Sequence, residues 1–296
     1  MAYQTGTEAS PTTLKSTIET FATTNGWTLL TDVLSKGSSN VRLTDIDADQ
    51  MDIEGANNAA FTLEVCPQKA KIDIASTLWP VTYRMFSLGT PDFIAVVLQY
   101  SSSRIQMLWF GDITKYGTWT GGNWFGAAKG ENHTSTDSFN LHPIVTNTNT
   151  PPGAPFWGTT NTSSGYSPQR ASFVHAEIDG YIWPGAGDEG PWPSFPEVAD
   201  PIHQRQPNVW NDQSVLLPMW LNMPRASSLY SPIGHVAHMR SIRIDNYDLG
   251  EIITLGSDKW MLFPWHQKNV AERDGPPGAS GSHTGTFGVA ISYDGP

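Results

Sequence analysis

The sequence predicts a mainly β protein: a β-sandwich or barrel-like fold with one N-terminal α-helix and long ordered loops. Three observations carry this. Beyond residue 26 the apolar segments are short, rich in Val, Ile, Thr and aromatics, and separated by Gly, Pro, Ser and Asn. Only one segment near the start repeats its apolar residues at helical spacing. The segment DFIAVVLQYSSSRIQMLWFGDITKYGTWTGGNWF, residues 92–125, sets two apolar runs around a short polar turn. Its first run, Ile94, Ala95, Val96, Val97 and Leu98, is continuous rather than alternating, as in a strand buried on both faces.

The helix begins at Ser10, which can cap it, with Pro11 in the first turn. Leu14, Ile18 and Phe21 form its apolar face, and Asn25-Gly26 supplies a left-handed stop on which Trp27 can fold back. Strands are then expected over 27–34, 41–46, 60–66, 81–87, 93–100 and 105–113. More are expected over 171–182, 215–221, 235–244, 251–255, 259–264 and 287–293. In the 235–244 strand, alternation places Val236, His238, Ile242 and Ile244 on one side, with Arg240 and Arg243 edging solvent. Residues 117–126 read as a glycine-rich loop. The stretch around 131–169 is nearly devoid of aliphatics and reads as a long loop, linker or contact arm. This divides the chain into a helix-plus-β portion (1–130), a polar linker or contact loop (131–170) and a second β portion (171–296), which can also form one continuous domain.

Composition narrows the function. Charged residues make up 15% of the chain, against about 25% in an average globular protein. A surface poor in Lys and Glu and rich in aromatics resembles interface composition. The net charge is −11, from 17 basic and 28 acidic residues with no basic run, so a direct nucleic-acid grip is not expected. A wall that repels DNA and lets it slide past is compatible with the same charge. The single cysteine, Cys66, excludes an intrachain disulfide and reads as a buried strand residue. MAYQTGTEAS lacks the basic and apolar regions of a signal peptide, and no apolar run reaches membrane-spanning length. Cytoplasmic assembly without a membrane partner is therefore expected.

Candidate chemistry is sparse, and neither enzymatic activity, a cofactor nor a metal is expected. The acidic run from Asp45 to Glu54 fails the EF-hand pattern, because Gln50 and Ala56 stand where Gly and Glu are needed; it reads as a solvated acidic loop. His235 and His238, three apart on a strand, point to opposite faces and make a poor zinc pair. The sequence around Ser280 lacks a nucleophile elbow. Asp188-Glu189, or Glu177 with Asp179 on one strand face, are paired carboxylates of the kind a glycan hydrolase uses, and an ordinary polar surface explains them equally well. Aromatics beside Gly or Pro carry more signal. Trp119, Gly121, Gly122, Trp124, Phe156, Trp157 and Trp192 are the candidate partner-contact residues, with Trp183 and Phe195 in similar settings. These rings can anchor a protein partner, stack on sugars, or pack their own loops onto the sheet. Trp79, Trp109, Trp220 and Trp260 lie in apolar runs and read as core.

Three segments add a resemblance. MAYQTGTEASPTTLKSTIETFATTNGW is similar to the "YQTGTA-SP-LL" lead and "NGW"-ended helix that open structural proteins of tailed bacteriophages. FIAVVLQYSSSRIQMLWFGDITKYGTWTGGNWFGA resembles their "LGxGxLxKxGxWTGGxxF" segment, and DLGEIITLGSDKWMLFPWHQK their closing "G-x-x-x-x-LG-x-D-x-Y-x-x-FP" strand pair. The matches cover about a third of the chain; the polar 146–169 insert and the part after His266 depart from the pattern. The resemblance implies a virion component of the tail, baseplate or head–tail collar. Its partners would be copies of itself and other virion proteins, and it carries over no catalytic residue. A glycan-reading receptor module on Trp119, Trp124, Trp157 and Trp192, and a glycan hydrolase, are the alternatives.

Overall fold

The computed structural model describes residues 1–130, 172–183, 197–198, 215–225, 229–244, 246–264 and 287–295. The chain opens with β1 (Ala2–Glu8), the helix α1 (Pro11–Thr24), β2 (Thr28–Leu30), β3 (Val33–Lys36), β4 (Ser39–Asp45), β5 (Gln50–Ala56) and β6 (Ala70–Asp73). There follow β7 (Val81–Leu88), β8 (Phe93–Gln99), β9 (Ile105–Asp112), β10 (Thr114–Lys115), β11 (Gly121–Ala127), β12 (Lys129–Gly130) and β13 (Ser172–Ala176). The last strands are β14 (Glu197–Val198), β15 (Leu217–Arg225), β16 (Leu229–Arg243), β17 (Ile252–Leu255), β18 (Asp258–Pro264) and β19 (Phe287–Tyr293). The fold is mainly β, as expected, with α1 at its N-terminal end. No described helix is long and apolar enough to cross a membrane.

Among the described residues all strand pairs are antiparallel, and they build three open sheets rather than a closed barrel. The central sheet runs β1-β7-β8-β9-β11-β13. One flanking sheet runs β12-β6-β5-β4-β3-β2; the other runs β14-β15-β16-β19-β18-β17, with β10 attached to β16. Phe93, Ala95 and Val97 join a core shared with Met219, Val236, Phe263 and Ile291. Ile94, Val96 and Leu98 point the other way, into a core shared with α1 and with Val41, Ile53 and Ile72. The architecture is thus layered, and the unbroken apolar run of β8 is a strand with no solvent face. β13 lies beyond the 131–170 stretch yet pairs with β11 in the central sheet.

The helix forms as its end signals direct. Thr13 N–H donates to Ser10 Oγ (3.2 Å) and Ser10 N–H to Thr13 Oγ1 (3.3 Å), a reciprocal capping box. At the other end Gly26 N–H donates to the Thr23 carbonyl and Trp27 N–H to the Ala22 carbonyl, both at 3.1 Å. This is a Schellman stop with Gly26 at φ +83°. Trp27 is buried and meets Phe110 edge-on at 5.0 Å, so the stop fastens α1 to the central sheet.

Several expectations are corrected. Residues 60–66 are not a strand; they belong to an irregular loop in which Phe61 and Glu64 take positive φ, and Cys66 is buried there. The strand lies just before it, as β5, inside the acidic run. Asp52 and Glu54 are buried rather than solvated, because Arg42 stands opposite Glu54 in β4 and donates to it at 2.8 Å, while Lys69 lies 3.6 Å from Glu54 and 3.9 Å from Asp52. β16 does not alternate cleanly. Pro218 pairs with Arg240 but Met219 pairs with Val236, so three residues bulge out of the ladder. Val236 and Met239 therefore face the inner core, whereas Ile242 and Ile244 join a separate cluster with Trp260 and Leu262 on the outer side. Arg240 is partly exposed and tied down at the bulge: its Nη1 donates to the carbonyls of Ala237 and Met239 (both 2.7 Å) and of Val236 (3.3 Å), and its guanidinium lies 5.0 Å from the Trp260 ring.

Gly26→Val should lower stability by about 1–2 kcal/mol, because a β-branched residue is forced into the left-handed region. Urea denaturation monitored by circular dichroism measures this; an unchanged midpoint would contradict the stop's role.

Candidate functional site

The most chemically equipped place in the described residues lies where the first turns of β11 and the end of β13 meet the 57–69 loop. Gly121 and Gly122 open β11 with φ +113° and +120°. A Cβ on Gly121 would stand 2.2 Å from the His175 carbonyl oxygen, so only glycine lets the two strands approach. The ladder is irregular here: Gly121 pairs with Ala176 and Trp124 with Val174, leaving two β11 residues opposite His175 alone. Ahead of it, Lys115 Nζ donates to the carbonyls of Trp119 and Gly121 (3.0 Å each) and lies 5.1 Å from the Trp119 ring. Trp119 Nε1 in turn donates to the Tyr116 carbonyl at 3.1 Å.

His175 lies on the Phe173 face of β13, toward the flanking sheet, because alternation along the strand places Val174 and Ala176 on the other face. Its side chain is 1% exposed, packs against the Trp183 ring at 5.1 Å, and places Nε2 3.0 Å from Glu64 Oε2. Glu64 is held from two sides: Asn57 Nδ2 donates to its Oε2 at 2.6 Å, and Trp183 Nε1 donates to its backbone carbonyl at 2.8 Å. Glu177, exposed, follows two residues after His175; its N–H donates to the Thr120 carbonyl at 2.9 Å. The donor atoms of Glu64, His175 and Glu177 lie within 4.8 Å of one another. Burial pushes the His175 imidazole below its ordinary value of 6.5, against the pull of the Glu64 hydrogen bond and charge. The short contact with Glu64 is therefore a hydrogen bond from a neutral ring near pH 7 rather than an ion pair.

The predicted contact residues separate. Trp119 is half-buried at the rim and packs against the inner core. Gly121 and Gly122 are buried in a strand, not exposed in a loop. Trp124 is a correction in full: it is completely buried, stacked on Phe93 at 5.8 Å and tilted against Trp109 at 5.2 Å, so it cannot stack on a sugar or reach a partner. Trp183 is likewise core, at 1% exposure. Phe156, Trp157 and Trp192 lie outside the described residues, as do Phe195 and the Asp188-Glu189 pair. Of the residues expected to be core, Trp109 and Trp260 are buried; Trp79 and Trp220 are only partly so. Glu177 and Asp179 do not share a strand face: β13 ends at Ala176, and Asp179 sits in a tight turn at φ +56°. His235 and His238 stay apart, His238 ring nitrogen Nε2 lying 2.9 Å from the Pro91 carbonyl and His235 5.5 Å from the Tyr116 ring.

Sequence reasoning missed the Glu64–His175–Glu177 group. Glu64 and His175 are 111 positions apart, and the segment carrying Glu64 reads as a strand. No family model matches the chain, and no curated protein matches it significantly.

Two outcomes follow. Trp124→Ala should cost about 3–5 kcal/mol, the range for emptying a buried aromatic site; the half-buried Trp119→Ala should cost clearly less, with both read from urea midpoints. Burial also lowers His235 and His238. All three imidazoles thus favour the neutral form when folded, and their contribution is present above 6.5 and lost as pH falls through their lowered values. Asp112, raised by burial, acts oppositely just above 3.8. The urea midpoint should drop from pH 7.5 to 5.5, and His175→Gln should shrink that drop.

Proposed function

We propose that the chain is a structural component of a tailed phage virion, assembling as a symmetric oligomer in the tail, baseplate or head–tail collar. The observation that carries this reading is the sequence resemblance at three separated segments. In the fold those segments are scaffold: β1 with α1, the β8–β9–β11 portion of the central sheet, and the β17–β18 hairpin. A likeness confined to strands, turns and a helix stop is what a shared framework would leave, and it does not touch the Glu64–His175–Glu177 group.

Surface character supports the same reading. The outer strands β2 and β17 end their sheets, and they carry the exposed Leu29, Leu30, Ile252 and Leu255. An unpaired rim with apolar side chains is a place for subunit contact rather than a stable free surface. Acidic balance and few charges fit a part packed among neighbours and not gripping DNA. In this reading the protein is not an enzyme, is assembled in the host cytoplasm, and contacts copies of itself and other virion proteins without a membrane partner.

Mass analysis of gradient-purified particles should find the chain in intact virions. Its absence from them, together with a monomeric state in solution, would end this reading.

A further inference from the structure

We propose that Glu64, His175 and Glu177 form a binding site for a divalent cation of the zinc class, one that fastens the 57–69 loop to the β13 edge of the central sheet. The inference is independent of the virion reading, which assigns these residues no role.

The geometry comes first. The donor atoms of all three side chains lie within 4.8 Å of one another. The His175 Nε2 to Glu64 Oε2 separation is 3.0 Å. Two ligands at metal distances of about 2.0–2.1 Å in a tetrahedron stand about 3.3 Å apart, so this pair needs only a few tenths of an ångström of adjustment. Glu177 is exposed and its side chain is free to swing in as the third ligand, leaving the solvent side for water.

The support around the ligands comes second. Metal ligands are oriented by hydrogen bonds from an outer ring of groups. Glu64 has such a ring, with Asn57 on its carboxylate and Trp183 on its backbone carbonyl. His175 is directed by the alternation of β13 and packs against Trp183, and the burial that keeps its ring in place also keeps bulk water from one side. The group therefore combines two rigid donors with one adjustable donor.

The donor set decides the class of cation. One imidazole nitrogen and two carboxylates suit zinc and its first-row neighbours, while calcium and magnesium prefer all-oxygen shells. Two carboxylates offset the nearby cation Lys115, whose ammonium is already occupied by the Trp119 and Gly121 carbonyls. The ion would join two segments 111 positions apart in the chain, so its binding would stabilise the fold in proportion to its affinity.

The test uses the full chain after chelator treatment and dialysis. Titration with zinc should show one tight site and a rise in melting temperature, and cobalt(II) should give a visible absorption band at equal stoichiometry. Glu177→Gln removes an exposed side chain and should leave the metal-free melting temperature unchanged while weakening zinc binding at least about tenfold. Calcium and magnesium at the same concentration should give no rise. The proposal is overturned if zinc produces no rise, if Glu177→Gln and Glu64→Gln both keep the wild-type response (which places the ion on other histidines), or if calcium matches zinc.

Discussion

The central sheet is covered on both faces, and this constraint governs the rest of the molecule. A strand with solvent on one side needs apolar residues only at alternate positions. Here the inner strands β8, β9 and β11 supply two apolar faces, and their residues sort by parity into two separate cores. The helix, the first flanking sheet and the Trp27 anchor serve one core; β15, β16, β18 and β19 serve the other. Several polar groups between the layers are paired across them. Gln106 accepts from the Asp73 N–H at 2.9 Å, and Asn123 accepts from Ser39 Oγ at 2.9 Å while donating to the Asn40 carbonyl at 3.3 Å, tying central to flanking sheet. Ser38 does the same at the sheet end, donating its N–H and hydroxyl to the two oxygens of Asp112.

Against that regular framework, two of the three ladder irregularities among the described strands stand out as places where chemistry concentrates. Where β11 takes an extra residue, His175 lies opposite two β11 residues, and its side chain, on the Phe173 face of β13, meets Glu64. Where β16 bulges, the carbonyls of Val236, Ala237 and Met239 collect on Arg240, and His238 reaches the Pro91 carbonyl in the turn between β7 and β8. A bulge breaks backbone pairing locally, so side chains must complete the hydrogen bonding. That demand brings polar and titratable groups into otherwise apolar layers.

How far the sequence discloses this depends on whether a signal is local. The helix and both its caps are legible because Ser10, Asn25-Gly26 and Trp27 act within a few residues of one another. The β8–β9 hairpin is legible because its double burial shows as a continuous apolar run. β5 hides among acidic residues, since Arg42 and Lys69, which make Asp52 and Glu54 tolerable, come from other segments. β11 hides behind Gly121-Gly122: the glycines look like loop punctuation, but both lie in the strand and Gly121 admits the His175 backbone. The parity of β16 fails for the same reason, as a bulge is set by the partner strand and shifts every later side chain to the opposite face. The Glu64–His175 contact had no local signal at all.

The layered arrangement also constrains how an assembly of this chain would be built. Because the middle layer is covered, subunit contacts fall to the rims of the outer sheets and to the loops. Leu29 and Leu30 belong to one outer sheet, Ile252 and Leu255 to the other, on the far side of the central layer. If both rims are used, the surfaces that meet are two different ones rather than one patch meeting its own copy. Contact between unlike surfaces closes into rings or runs on into filaments, whereas a self-complementary patch stops at a dimer. In the proposed virion role, a ring around a tail axis is the outcome that this separation of apolar rims favours, and the inter-sheet ties at Gln106, Asn123 and Asp112 would keep the two rims in fixed relation while it forms.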